Sequence, residues 1–149
     1  CLMRMFAAQG KDCVFYETVS SLHHSRHTAI ECVPMARRDA TAAPAYFRKA
    51  LLESEVEDEW AQHKKVINVP AARGVRGAVP PQFPYFYVQF ALGDGLAHVI
   101  DDRRDFGNAF ARGVIAGLLE LDPDVWMGRR RANDRNVDLA RSQQFKKQY

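Results

Sequence analysis

Apolar and polar residues alternate in two regions of the chain and recur at helical spacing in three others. Tyr85-Phe86-Tyr87-Val88-Gln89-Phe90 is the clearest strand pattern, and Leu96 to Ile100 runs back as its partner across Gly93-Asp94-Gly95, whose residues suit the φ > 0 positions of a tight turn. Cys13 to Tyr16, extending to Thr18, forms a second β-prone run. Residues 26 to 35 return beside it as an antiparallel hairpin, and Pro34 is expected to end the pairing because it lacks a ladder donor. The helical regions are residues 1 to 9, stopped at Gly10, then Pro44 to about Trp60, and residues 105 to 120. In the second, Tyr46, Phe47, Ala50, Leu51 and Ser54 describe the buried stripe, with the acidic run from Glu53 to Glu59 as a solvated face. In the third, Phe106, Phe110, Val114, Ile115, Leu118 and Leu119 are expected to pack on the hairpin before them.

Between these elements, residues 36 to 43 read as a linker and Lys64 to Val69 as a short β-prone piece closed by Pro70. Residues 71 to 84, with two glycines and three prolines, read as an ordered loop. From Arg129 to Lys147 bases outnumber acids by seven to two without apolar periodicity, so this tail is either a helix reaching to a partner or disordered when alone. The predicted fold class is α+β.

Composition changes this picture little. The 149 residues are 47% hydrophobic and 26% charged, and no apolar run approaches the ~20 residues of a membrane-spanning helix, so a membrane is not an expected partner. The chain opens on Cys1 as though midway through a helix and reads as a fragment of a longer protein. Its cysteines, Cys1, Cys13 and Cys32, include no C-x-x-C pair, which indicates neither a disulfide framework nor a self-contained zinc site. A net charge of +3 is too small to establish a nucleic-acid partner.

The chemistry turns on residues 27, 29, 31 and 33, which would share one face of an extended strand. A His-x-His-x-His run there would set a nucleophile beside a phosphate. This chain instead reads His27, Ala29, Glu31, and an alanine has no lone pair with which to attack phosphorus. His23 and His24 belong to the preceding loop and are poorly placed to substitute. For RNA, the promising combination is Lys64, Lys65, Arg73 and Arg76 with the aromatic run Phe83 to Tyr87. On that strand Phe86 and Val88 belong to the core, leaving Tyr85 and Tyr87 to face a ligand. His98 reads either as a hydrogen-bonded structural residue or as a phosphate or ribose contact. Arg129, Arg130 and Arg131 suit RNA phosphates or an acidic protein surface equally.

The order of motifs resembles the C-terminal region of the CwfJ family of pre-mRNA splicing factors, most of all the branch carried in late spliceosomes. The matching stretches are Gly-Lys-Asp-Cys-Val-Phe-Tyr-Glu at 10–17, His-Thr-Ala-Ile-Glu-Cys-Val-Pro at 27–34 and Pro-Ala-Tyr-Phe-Arg-Lys-Ala-Leu-Leu-Glu-Ser-Glu at 44–55. Pro-Tyr-Phe-Tyr-Val at 84–88 and Leu-Ala-His-Val-Ile-Asp-Asp at 96–102 complete the set. The Phe-Gly pattern around Asp105-Phe106-Gly107 is blurred by comparison.

The resemblance implies a histidine-triad-like domain over residues 1–60, lacking its N-terminal strands, a second smaller α+β module over 61–126, and a basic tail over 127–149. It further implies that His27 can complete a Cys-Cys-His-His zinc site whose other ligands lie outside this chain. The expected role is non-catalytic binding of RNA, either the intron lariat or snRNA, and of spliceosomal proteins in the nucleus. The rivals are an active histidine-triad nucleotide hydrolase, which Ala29 opposes, a pure protein-interaction module, and the smaller CwfJ branch linked to lariat debranching.

Overall fold

Two hairpins far apart in sequence are joined in this chain by one strand that pairs on both its edges. The computed structural model describes residues 2–20, 28–54, 66–100, 106, 109–122, 126 and 135–148. Helix α1 (Leu2–Ala8) ends at Gly10, which turns the chain at φ +71°, and strand β1 (Lys11–Val19) follows. β1 is antiparallel to β2 (Glu31–Ala36), and helix α2 (Arg37–Glu53) succeeds β2 without a break. The second half supplies β3 (Ile67–Val69), a 3-10 turn at Val75–Gly77, β4 (Tyr85–Phe90), β5 (Gly95–Val99), and helices α3 (Phe110–Leu118) and α4 (Arg135–Gln148). All strand pairs among the described residues are antiparallel, in the order β2-β1-β4-β5-β3, so the fold is α+β, with helices α1 to α4 and a five-stranded antiparallel sheet.

The period of two sorts each strand between two faces. Val14 and Tyr16 of β1, Phe86, Val88 and Phe90 of β4, and Leu96 of β5 face α2 and α3, which cover them with Ala43, Phe47, Leu51, Ala111, Ile115 and Leu118. Aromatic contacts knit this core together. Phe86 stacks on Phe47 at 6.1 Å between ring centres, meets Phe110 edge-on at 5.2 Å and Phe106 at 5.4 Å, and Phe106 lies 4.3 Å from Phe110. The other face is thinner. α1 packs over the start of β1, with Met3 Sδ 2.8 Å from Cys13 Sγ, and the loop after β3 covers Ala97 and Val99 with Val79. The stretch of sheet between those two covers forms the groove described below.

Several expectations need correction. The strand anticipated from residue 26 begins at Glu31, with Thr28, Ala29 and Ile30 exposed ahead of it. Pro34 does not stop the pairing, which runs on to Ala36 opposite Lys11, because β2 is an edge strand and needs ladder donors on one side only. Nor are residues 36–43 a linker. Ala36 ends β2 and residues 37–43 form the first turns of α2, and Pro44 sits inside that helix, its cost offset by the buried stripe of Ala43, Phe47 and Leu51 on either side. The stripe thus excludes Tyr46, which is exposed.

At the β4–β5 turn the left-handed residue is Ala91, φ +52°, rather than a glycine. Gly95 is required for closeness instead, since a Cβ there would lie 2.7 Å from the Tyr87 ring and would also meet the Val88 carbonyl. Helix α3 starts at Phe110 and lies beside α2 as well as reaching the sheet through Phe110. In the tail, Arg135–Gln148 is helical and exposed throughout, with Gln9 Nε2 donating to Gln148 Oε1 at 3.3 Å.

Candidate functional site

Register builds the site. On the face away from α2 and α3, Glu17 of β1 stands directly opposite Tyr87 of β4, and Phe15 directly opposite Gln89, so four neighbouring positions alternate an aromatic ring with a polar group. These four floor a groove of about 270 Å³. Its walls come from three segments distant in sequence, namely Ile30 ahead of β2, Val75 in the 3-10 turn and Leu92 in the β4–β5 turn. Ile30 and Leu92 are each 69% exposed, far more than apolar residues of the core.

The loop carrying Val75 is held in place rather than draped. The Ala71 amide donates to Asp94 Oδ1 at 3.0 Å, Arg73 and Gly74 amides both donate to the Pro70 carbonyl, and Gly74 takes the left-handed conformation that lets the chain enter the 3-10 turn. Arg73 and Arg76 project from this loop as exposed side chains. The stem of Arg73 packs over Gly77, where a Cβ would meet its Cγ at 2.8 Å.

Glu17 is the unusual member. It is 8% exposed, and its Oε1 accepts a hydrogen bond from the Tyr85 hydroxyl at 2.8 Å. Burial, reinforced by that hydrogen bond and by the negative charge of Glu17, pushes the Tyr85 phenol well above its ordinary value, with nearby Arg76 opposing. Tyr87 is raised as well, first by burial and then by Glu17 and Asp94. Both phenols are therefore neutral hydroxyls in a locally negative setting.

The residues singled out from sequence do not all meet. Arg73 and Arg76 are exposed on the loop whose Val75 walls the groove, Arg76 acts on Tyr85, and Tyr85 and Tyr87 lie on the groove face of β4, while Phe86 and Val88 are buried beneath α2 and α3 as the alternation predicts. His98 points the other way, 8% exposed and stacked on Phe106 at 5.1 Å, so it cannot join the other four in one contact surface. Lys64, Lys65, His23, His24, His27 and Arg129 to Arg131 lie outside the described residues. Ala29 is exposed before β2, and Glu31 is already engaged, accepting from the Tyr16 hydroxyl at 2.9 Å and from Arg112 Nη2 at 3.0 Å. Among the described residues no three His, Cys, Asp or Glu side chains come together in a way that could hold a metal ion. Among them, too, no helix is long and apolar enough to cross a membrane.

Sequence reasoning missed Glu17, Phe15, Gln89, Ile30 and Leu92 as site residues. Their common signal was available only in part: Phe15 and Glu17 occupy alternate positions of a strand, but which strand lies beside them is not written locally.

Fold and site together define an α+β chain that offers a sheet-floored groove beside a basic loop. Comparison with known proteins supplies the family. The family model described as "Protein similar to CwfJ C-terminus 2" matches residues 59–149, and "Protein similar to CwfJ C-terminal" matches residues 1–48. The chain belongs to the CwfJ C-terminal family of splicing-factor proteins. It is 44% identical over 84% of its length to CWF19-like protein 2 of Danio rerio, of which the match covers 13%. It is 35% identical over 98% of its length to a CWF19-like protein 2 homolog of Caenorhabditis elegans, covering 30% of that protein. To pre-mRNA-splicing factor cwf19 of Schizosaccharomyces pombe it is 34% identical over 95% of its length, covering 24%. The chain thus spans less than a third of these relatives. The two family matches divide the strands, β1 and β2 from β3, β4 and β5, and the β1–β4 pairing unites both sets in one sheet.

Proposed function

We propose that this chain is a non-catalytic binding part of a pre-mRNA splicing factor, contacting RNA and spliceosomal proteins in the nucleus, in complexes that hold the intron lariat. Support for the splicing role comes from relatives named as a pre-mRNA-splicing factor and as CWF19-like proteins. The non-catalytic reading rests on Ala29, which stands where an attacking imidazole is needed, and on Glu31, which is committed to Tyr16 and Arg112.

The observation that carries RNA contact is the placement of Arg73 and Arg76 as exposed cations on one hydrogen-bonded loop, with Arg76 close enough to Tyr85 to act on its phenol. Guanidinium groups neutralise phosphates, and their release of counterions makes the affinity fall with salt. Titrating fluorescent linear and branched RNA with the chain at two ionic strengths tests the reading. Replacing both arginines by alanine is expected to lower affinity at least tenfold at low salt and to flatten the salt dependence. Equal affinity for the double variant, or binding indifferent to salt, refutes the proposed contact.

A further inference from the structure

A buried carboxylate is costly unless a cation or several donors compensate it. Glu17 is more than nine-tenths buried on the floor of the groove, yet among the described residues its hydrogen-bond donor is Tyr85 alone, through Oε1, and it forms no ion pair. Arg76, the base near Tyr85, forms no ion pair with Glu17 among the described residues. A second acid, Asp94, adds negative charge near Tyr87 and spends one oxygen on the Ala71 amide. Among the described residues the space in front of Glu17 thus presents a carboxylate without a cationic partner, floored by the rings of Phe15 and Tyr87 and walled by exposed alkyl groups.

Three classes of ligand can be set against that description. A phosphate is repelled by the two carboxylates. A purely apolar peptide side chain would fill the walls and leave Glu17 uncompensated. A basic side chain satisfies every part: its alkyl stem lies along Ile30 and Leu92, its cation rests over the Tyr87 ring, and its N–H groups reach the Glu17 carboxylate. We propose that this groove binds an arginine or lysine side chain of a partner protein, presented on a segment with apolar neighbours, with Glu17 as the charged anchor and Tyr87 as the platform. Charge complementarity selects this occupant, and the inference does not depend on RNA contact at Arg73 and Arg76.

The test uses the whole 149-residue chain and fluorescein-labelled eight-residue peptides in which one arginine is flanked by leucines, the same peptide with citrulline, and a single-stranded RNA of similar length. Binding is read by anisotropy. The arginine peptide should bind, citrulline should weaken it at least tenfold, and Glu17→Gln should do the same while the Tyr85 hydroxyl keeps an oxygen to donate to. Tyr87→Phe should retain binding and Tyr87→Ala lose it. Circular dichroism of each variant separates lost binding from lost folding. Equal binding of the citrulline and arginine peptides overturns the proposal. So does an unaffected Glu17→Gln variant that is folded. If instead the RNA competes for the groove and its affinity falls with Tyr87→Ala and not with the Arg73 and Arg76 replacements, the groove is a nucleobase site and both this inference and the assignment of RNA to the loop fail. A peptide result that fails alone leaves the loop assignment standing.

Discussion

The two faces of the sheet are built from alternate residues of the same strands, yet one is spent on stability and the other is left for binding. On the α2–α3 face, Val14, Phe47, Leu51, Phe86 and Val88 are sealed from water. On the groove face the equivalent positions hold Phe15, Glu17, Tyr87 and Gln89, with apolar walls that the described residues leave partly uncovered. The lesson is that cover decides use. α2 and α3 span the first face, whereas α1 and the residue 71–84 loop meet the second only at its ends.

The largest effect should come from crossing that comparison on one strand. Phe86→Ala empties the centre of an aromatic cluster and is expected to cost about 3–5 kcal/mol. Tyr87→Ala, one residue along, removes a half-buried ring from the smaller cluster and should cost about 1–2 kcal/mol. Urea unfolding of the pair measures the difference. Similar losses would mean that the groove face is structural after all.

A second, pH-dependent effect belongs to the junction of α1 with the groove face. Cys13 is held among apolar neighbours, and burial first, then the adjacent Cys32, pushes its thiol from 9.0 up to about 12. In the unfolded chain the thiol loses its proton near its ordinary value, so between about 9 and 12 the unfolded state binds fewer protons than the folded one. Stability is therefore intact below pH 9 and falls as pH rises towards 12. Unfolding midpoints measured across that window should decline, and Cys13→Ala should show a shallower decline. The same burial predicts that alkylating reagents label Cys13 at neutral pH only after unfolding.

The smallest effect is expected where the α2–α3 face reaches solvent. Arg112 and Glu31 pair at 3.0 Å with both side chains close to half exposed, so Arg112→Ala should cost about 0–1 kcal/mol and less at high salt. Tyr16→Phe removes a hydrogen bond from a buried ring to the same carboxylate and should cost about 1 kcal/mol. Denaturation at low and high salt checks both, and a loss for Arg112→Ala that ignores salt would show that the pair is not electrostatic.

Local pattern was enough for elements whose two neighbours lie close by in sequence. The alternation of residues 85–90 and 96–100 placed the β4–β5 hairpin and buried Phe86 and Val88 correctly, and Gly10 marked the end of α1 because only its own backbone angle was at issue. The helical spacing of Phe47 and Leu51 marked the buried stripe of α2, although local rules put the start of that helix too late. Proline was the reason: Pro34 and Pro44 both read as boundaries, and the edge position of one and the packing around the other made each tolerable.

What the sequence determined by itself was thus most of the strands and helices and a family kinship carried by motif order. The tertiary structure alone decided that β1 pairs with β4 across more than sixty residues of chain, and so that Glu17 faces Tyr87, that Ile30, Val75 and Leu92 wall one groove, and that His98 turns away from it. The physical reason is that alternation tells which side chains share a face of their own strand, whereas the neighbour strand, and what covers each face, follow from the packing of the whole chain.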